Sequence, residues 1–164
     1  MPSDSYLQID GLKGDSTDSG HKDWIEIHSF SHTMTQPASA TATSAGGGTY
    51  ARTKHGDFEI VKEVDLSSPK LYELCSSGKH IKKIVVDLMR ASGDAPVKYM
   101  SIEMDNVVIS MVSLEGNSGG APLERVAFNY GVIKWTYTSQ KRADGSKGGN
   151  VSGGWSLEEN KTAA

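Results

Sequence analysis

Hydrophobic and polar residues alternate with a period of two along most of the chain, which is typical of β-strands with one buried face. The apolar positions of each such segment fall on one side, and short polar stretches separate the segments. We predict strands over residues 6–9, 24–30, 58–64, 80–89, 97–105, 107–115, 124–138 and 155–157. Asp105 and Asn106 predict a hairpin turn between two of them, and Gly131 predicts a bend within the longest.

One segment has the period of a helix. Ser67 and Pro69 are typical of a helix start, and Gly78 is typical of a helix end. The apolar residues between them have the spacing i, i+3, i+4 and would form one stripe: Leu71, Leu74 and Cys75. Because about ten residues are too few to be helical alone, we predict a helix over about residues 68–77 that packs on the sheet. Cys75 is then a small buried side chain rather than a reactive thiol.

Two stretches have no regular period. Residues 31–56, which we call the arm, are rich in Ala, Thr and Ser and contain three consecutive glycines. Loops longer than about 12–15 residues are usually functional or disordered, so the arm is interpreted as a segment that orders against a partner, with a floppy surface loop as the alternative. The second stretch, residues 144–154, is predicted to be a flexible Gly-rich connection before the last strand.

Composition places the chain among ordinary globular domains. It has 164 residues, 37% of them hydrophobic, which predicts one domain with one core. Seventeen basic and 20 acidic residues give a net charge of -3, which favours neither a nucleic-acid nor a membrane partner. The first residues are polar and acidic and predict no secretory signal. The single cysteine, Cys75, indicates folding in a reducing compartment.

The most suggestive chemical motif is Gly-Asn-Ser-Gly-Gly at residues 116–120. It resembles the nucleophile loop of trypsin-like serine proteases, in which glycine N–H groups form an oxyanion hole. That chemistry also needs a histidine base, and none of the five histidines has the sequence context that those proteases use. Since Asn, Ser and Gly are ordinary turn residues, we interpret Ser118 as part of a turn and keep a serine protease as an alternative.

No pattern predicts a metal or a cofactor. His28 and His32 would converge on a helix, but on a strand they lie about 13 Å apart, so both are interpreted as solvated. The acidic residues near the start lack the spacing of a calcium loop, and the three consecutive glycines of the arm are not followed by the Lys-Ser or Lys-Thr of a phosphate-binding loop. The residues alone therefore predict no catalytic, cofactor or metal site, and no enzyme.

Residues 56–65, Gly-Asp-Phe-Glu-Ile-Val-Lys-Glu-Val-Asp, precede Ser-Ser-Pro-Lys-Leu at 67–71 and together resemble the signature of the haemolysin-coregulated protein (Hcp) family. The similarity extends from Tyr6 to Lys161 and is weakest over 31–55. Ser156 stands where the family has an acidic residue. The signature residues, to which a structural role is assigned, are Asp57, Phe58, Lys62, Asp65, Ser68, Pro69, Leu71 and Trp155.

The resemblance implies one domain over residues 1–164, a compact antiparallel β-barrel of two sheets with one flanking helix. It further implies hexameric rings that stack into the inner tube of the bacterial type VI secretion system, under a spike and inside a contractile sheath. The ring lumen would bind secreted effector proteins. The protein would be cytoplasmic before firing and then be secreted without a signal peptide. A monomeric β-barrel that binds sugars or peptides is a further alternative.

Ring formation gives the arm an expected role. A head-to-tail contact closes a ring only when its rotation divides the circle, and long loops and open sheet edges supply surfaces for such contacts. We therefore expect the arm to reach an adjacent subunit or ring. The candidate contact residues are Met34, Pro37, Tyr50 and His55.

Overall fold

The computed structural model of the chain describes residues 4–37, 52–92 and 95–163. These residues form eleven strands and one helix, which follows the sixth strand. The strands are β1 Ser5–Ile9, β2 Ile25–Ile27, β3 Ser29–Ser31, β4 Met34–Thr35, β5 Lys54–His55, β6 Phe58–Glu63, β7 Ile81–Arg90, β8 Val97–Glu115, β9 Leu123–Gln140, β10 Lys147–Ser156 and β11 Lys161–Thr162, and the helix is α1 Ser68–Ser77.

Nine of these strands form one antiparallel sheet in the order β11-β10-β9-β8-β7-β1-β2, with β6 pairing to β9 and β3 to β6. The stretch 25–31 supplies both β2, which pairs with β1, and β3, which pairs with β6. Between them the His28 N–H donates to the Val61 carbonyl at 2.7 Å. The sheet therefore curls round on itself, and this stretch connects its two ends, although no single ladder closes it. The predicted antiparallel β fold with one flanking helix is confirmed.

The core fills the inside of the curled sheet. Its side chains come from alternate positions of the strands and from one face of α1, as half-buried strands require. The fully buried apolar residues include Leu7, Phe58, Ile60, Leu71, Ile84, Val86, Met104, Val107, Val126, Phe128 and Ile133.

The predicted hairpin at Asp105 and Asn106 is wrong, because β8 runs through both residues. Met104 and Val107 are both buried, so the strand changes its inward face here rather than reversing direction. Asn106 makes this change by adopting a φ of 53°, a left-handed conformation that Asn tolerates better than most residues. The sequence signal was a break in the alternation of apolar and polar residues. Both a turn and a change of the buried face produce such a break.

Gly131 lies opposite Asn106 and marks a second change of face, in β9. Tyr130 and Ile133 are both buried, and Val132, predicted to share the inward side of Tyr130, is only half-buried. β9 pairs with β6 up to Phe128 and with β10 from Val132 onward. The predicted irregularity at Gly131 is therefore the point at which β9 changes partner.

The predicted flexible connection over residues 144–154 is largely a strand, since β10 begins at Lys147. Its glycines allow close approach of neighbouring groups: a Cβ on Gly154 would collide with the Ala163 carbonyl oxygen, and one on Gly148 with the Ser139 hydroxyl. The connection itself is a short turn, closed by a 2.8 Å bond from the Lys141 N–H to the Ser146 carbonyl. Crowding explains Gly148 and Gly154, whereas a Cβ on Gly149 or Gly153 would meet nothing within 4 Å.

Helix α1 is confirmed with its predicted bounds, Ser68–Ser77, but the capping bond expected from Ser67 is absent. Ser67 has helical dihedrals and makes no capping bond with its side chain. Instead the Asp65 carboxylate accepts the Ser67 N–H, and the Ser68 hydroxyl accepts the Asp65 N–H, each at 2.9 Å. Gly78 ends the helix with a φ of 65°. The helix packs on β8.

Candidate functional site

The arm is the first candidate for an interaction surface. Its two ends pair as β4 and β5, with Met34 opposite His55 and Thr35 opposite Lys54, so a stretch predicted to lack regular structure begins and ends as a two-stranded ribbon. Of the predicted contact residues, Met34 is 47% exposed, whereas Pro37 and His55 are half-buried. Tyr50 lies outside the described residues.

The base of the arm is bound to the sheet through two histidines and a tyrosine. His32 Nε2 lies 2.7 Å and His55 Nδ1 2.8 Å from the Tyr130 hydroxyl. The His32 ring also contacts Phe58 and Trp135, with ring centroids 5.5 and 6.4 Å apart. His32 was predicted to be solvated and is instead half-buried. Its hydrogen-bond partner, Tyr130, lies on β9. The spacing of residues along the arm could not indicate a contact with a strand so distant in the sequence.

The electrostatics of this junction follow from burial. Removal from water lowers the pKa of both histidines below their usual range, and the charge of His55 lowers that of His32 further. Burial raises the pKa of Tyr130 strongly, and the negative charge of Asp57 adds to the effect. The favoured state of the junction is therefore a neutral phenol between two neutral imidazoles.

The first two signature residues hold the start of β6 in place. The Asp57 carboxylate accepts bonds from Ser110 Oγ at 2.6 Å and from Asn129 Nδ2 at 2.9 Å. Phe58 is fully buried and pairs with Phe128 across the β6–β9 ladder. Together they connect β6 to both β8 and β9.

Lys62 is the centre of a buried polar network. Its ammonium group lies 2.9 Å from Asp65 Oδ1 and 3.0 Å from Glu124 Oε2, and both Lys62 and Glu124 have no exposed side-chain surface. The same ammonium donates to the Glu63 carbonyl and to the Ser68 hydroxyl. Such a charge is retained in a core only when its partners satisfy it, and here β6, β9 and the start of α1 all contribute.

Tyr72 extends this network to the middle of α1. Its hydroxyl donates to Glu124 Oε1. Burial raises the pKa of Tyr72 to about 12, and the bond to the Glu124 carboxylate and its negative charge contribute to the increase. Glu124 and Tyr72 were not identified from the sequence. The available signal was a glutamate that precedes the inward-facing positions Val126 and Phe128.

The remaining signature residues have structural positions. Leu71 is fully buried, and Pro69 is exposed in the first turn of α1. Trp155 is half-buried against the core and pairs with Ile133. Cys75, predicted to be buried, is half-buried against the same core.

His21 is a buried histidine that the sequence analysis did not single out. His21 Nδ1 is 2.9 Å from Asp18 Oδ2, and His21 Nε2 is 3.0 Å from Asp87 Oδ2. Its ring stacks on Tyr6 at 4.4 Å between centroids, and the hydrogen bond to His21 lowers the pKa of Asp18. Both ring nitrogens of His21 are thus bound by carboxylates of the same chain. The cluster ties the 14–24 segment to β7.

The candidate protease loop is a solvent-exposed turn. Residues 116–122 are all exposed, and the Asn117 side chain accepts the Gly119 N–H at 2.9 Å, as in ordinary turns. Within the described residues no hydrogen bond joins Ser118 to a histidine. In the same part of the chain, no group of three or more His, Cys, Asp or Glu side chains is placed to hold a metal ion, and no helix has the length and apolar character to span a membrane.

Comparisons with known proteins agree with one another. The family model described as "Type VI secretion system effector, Hcp" matches residues 6–137. The protein hcp1 of Pseudomonas aeruginosa is 34% identical over 165 residues, covering 99% of this chain and all of that protein. A solved structure described as a type six secretion system protein superposes with a TM-score of 0.91 at 26% identity, covering 99% of this chain and all of the other. Hcp1 from Salmonella typhimurium superposes with a TM-score of 0.79 at 26% identity and the same coverage.

These matches place the curled antiparallel sheet with its single helix among the structural proteins of the type VI secretion system. The chain is a member of the Hcp family, the tube proteins of that system. Hcp proteins are secreted. The predicted family and its tube function are confirmed.

Proposed function

We propose that six copies of this chain close into a ring, and that the rings stack into the hollow tube of the secretion apparatus. The observation that carries this proposal is the match over nearly the whole chain to proteins of the type VI secretion system, with a TM-score of 0.91 for one of them. A ring requires two different complementary surfaces on each copy, because head-to-tail contacts are heterologous.

The arm supplies one of these surfaces in our proposal. It begins and ends as a ribbon held against the sheet, with Met34 exposed at its base, and it reaches an adjacent subunit or ring. Met34, Pro37 and Tyr50 are the proposed apolar contacts. His55 takes a different part, since its side chain bonds Tyr130 of its own chain.

The outer edge of β10 supports self-association. β10 pairs with β9 along its length, but β11 covers it only at Trp155 and Ser156. Within the described residues its outer edge over 147–153 has no strand partner, and Val151 there is 72% exposed. Open edges of this length are usually covered in stable proteins, and a neighbouring copy would cover this one.

The proposal extends to the remaining partners. The stacked rings would lie under a spike and inside a contractile sheath, carry effector proteins in the lumen, assemble in the bacterial cytoplasm and leave the cell on contraction. The protein would act by assembly and transport rather than by catalysis.

The native mass of the purified chain tests the ring. We expect a discrete particle of six times the 17.6 kDa chain mass, visible as a ring in electron micrographs, with the single-chain mass recovered after denaturation. A particle that stays at the single-chain mass at every concentration would contradict the proposal and favour a monomeric β-barrel binding module.

A further inference from the structure

The base of the arm is joined to the sheet by a group of three side chains, which we call the latch: His32, His55 and Tyr130. His32 follows β3 and His55 ends β5, so the two histidines lie on the outgoing and returning limbs of the arm. Both bind the same hydroxyl, at 2.7 and 2.8 Å. The latch therefore closes the base of the arm and attaches it to β9.

The hydrogen-bond inventory of the latch is fully satisfied when both imidazoles are neutral. A phenol has one proton to donate, and a neutral imidazole has one donor and one acceptor nitrogen. With both imidazoles neutral, one histidine donates to the Tyr130 oxygen and the other accepts the Tyr130 proton. If the accepting histidine gains a proton, the buried Tyr130 O–H loses its acceptor, and leaving a buried donor unpaired costs free energy.

Burial disfavours a positive charge on either histidine of the latch. Phe58 and Trp135 contact the His32 ring, and Tyr130 is only 3% exposed. Among the described residues, the charges that act on the latch are that of His55 on His32 and that of Asp57 on Tyr130. The Asp57 carboxylate is itself bound by Ser110 and Asn129.

We propose that the latch is a proton-sensitive switch, which holds the base of the arm on the sheet at neutral pH and releases it in weak acid. The direction of this pH dependence follows from the linkage between proton binding and opening of the arm. Burial lowers the pKa of both histidines in the closed arm, whereas in an open arm they return to about 6.5. The open form thus binds more protons. The stabilisation from the latch is complete above about pH 6.5 and is lost as the pH falls through the lowered values.

The consequence for assembly rests on the proposed ring. If the arm contacts a neighbouring copy, a released base changes the direction in which the arm leaves the sheet, so ring or tube formation would weaken in the same pH range. Opening of the latch itself concerns a single chain and does not depend on that contact.

Hydrogen exchange of the intact chain at pH 7.5 and pH 5.5, corrected for the intrinsic pH dependence of exchange, tests the switch. The reporters are the β4–β5 amides and the Gly56 N–H, which binds the Thr33 carbonyl at 2.8 Å. For one proton taken up with an open-state pKa of about 6.5, we expect exchange there to be faster at pH 5.5 by up to roughly tenfold. Amides of β7 serve as the internal reference and should not change.

Three variants separate a proton switch from a structural contact. The double variant His32→Gln and His55→Gln keeps side chains that can donate and accept but cannot titrate, so its arm-base exchange should be independent of pH. Tyr130→Phe should exchange fast at both pH values. His80→Gln is the matched control, because the exposed His80 binds Asn106 rather than Tyr130, and it should respond like the wild type.

The proposal is overturned if wild-type arm-base exchange is the same at both pH values, if β7 accelerates equally, or if the double Gln variant keeps the wild-type response. Native mass measured on the same samples separates this inference from the ring: a chain that stays monomeric at pH 7.5 but opens its arm base in acid contradicts the proposed assembly and supports the switch.

Discussion

Lys62 illustrates how a single residue can be both charged and part of the core. It stands directly opposite Glu124 in the β6–β9 ladder, and neither side chain has exposed surface. The resemblance to a known signature marked Lys62 and Asp65. It could not mark Glu124, because the contact depends on the register of two strands separated by more than fifty residues.

Removing the Lys62 charge should leave Glu124 and Asp65 without their cation. We expect Lys62→Met to lower the free energy of unfolding by about 3–5 kcal/mol, as is typical when one partner of a buried ion pair is removed. Urea unfolding under monomeric conditions measures this value.

The matched control for that variant is Lys70→Met. Lys70 also pairs with an acidic residue three positions ahead, Glu73 at 3.1 Å, but these side chains are 60% and 67% exposed. Since exposed pairs contribute at most about 1 kcal/mol, this variant should unfold close to the wild type. Equal losses in the two variants would show that burial of Lys62 does not carry the effect.

Among the secondary-structure elements, α1 was the most predictable from sequence. Pro69 and Gly78 bracket it, and the stripe that begins at Leu71 packs on the sheet as expected. Ser67 occupies the predicted N-cap position, but its side chain makes no capping bond, and the Asp65 side chain two positions earlier accepts the Ser67 N–H instead. A side chain this short can reach several backbone groups, so only the turn geometry decides which one it binds.

The packing of α1 on the sheet should be lost when the side chain of Leu71, its central apolar contact, is truncated. Leu71 is fully buried, so Leu71→Ala should reduce the free energy of unfolding by about 2–5 kcal/mol. Truncation of the half-buried Leu74 to Ala should reduce the free energy of unfolding by less. Thermal or chemical unfolding provides the measurement.

Leu66→Ala provides the reference for that series, because Leu66 is 65% exposed and its truncation creates no cavity. The melting temperature of this variant should match that of the wild type. If the Leu71→Ala protein had the same melting temperature as the Leu66→Ala protein, α1 would not depend on the Leu71 contact.

The two long strands were harder to predict than the helix. The sequence predicts two strands in place of β8, because the alternation of apolar and polar residues breaks at Asn106. In β9 the sequence predicts only a bend at Gly131. Both residues lie at one level of the sheet, where β9 exchanges β6 for β10 as its partner. A break in a period-two pattern does not distinguish a reversal from a change of face, so only the paired strands show which one occurs.

In the whole molecule, the proposed assembly depends on the arm while the fold does not. The core lies inside the curled sheet, and β4 and β5 form a separate two-stranded sheet at its side. We expect replacement of residues 38–51 by an Asn-Gly turn to abolish rings, because the proposed contacts beyond the ribbon are removed. Native mass and electron microscopy of the variant report on this.

The fold of that variant must be checked separately. Its melting temperature should stay within about 2–4 °C of the wild type under monomeric conditions, since about 1 kcal/mol shifts a protein of this size by that amount. Rings of normal diameter formed by a well-folded variant would show that the arm makes no essential contact.

The amino-acid sequence by itself determined the β class, the single helix and the family, because alternation, helix-end residues and the signature segment are local properties of the chain. The tertiary structure alone decided which distant side chains meet: Lys62 with Glu124, His21 with Asp87, and His32 and His55 with Tyr130. These contacts depend on strand register and on the curl of the sheet. Both arise from the packing of the whole core, so no short stretch of sequence contains them.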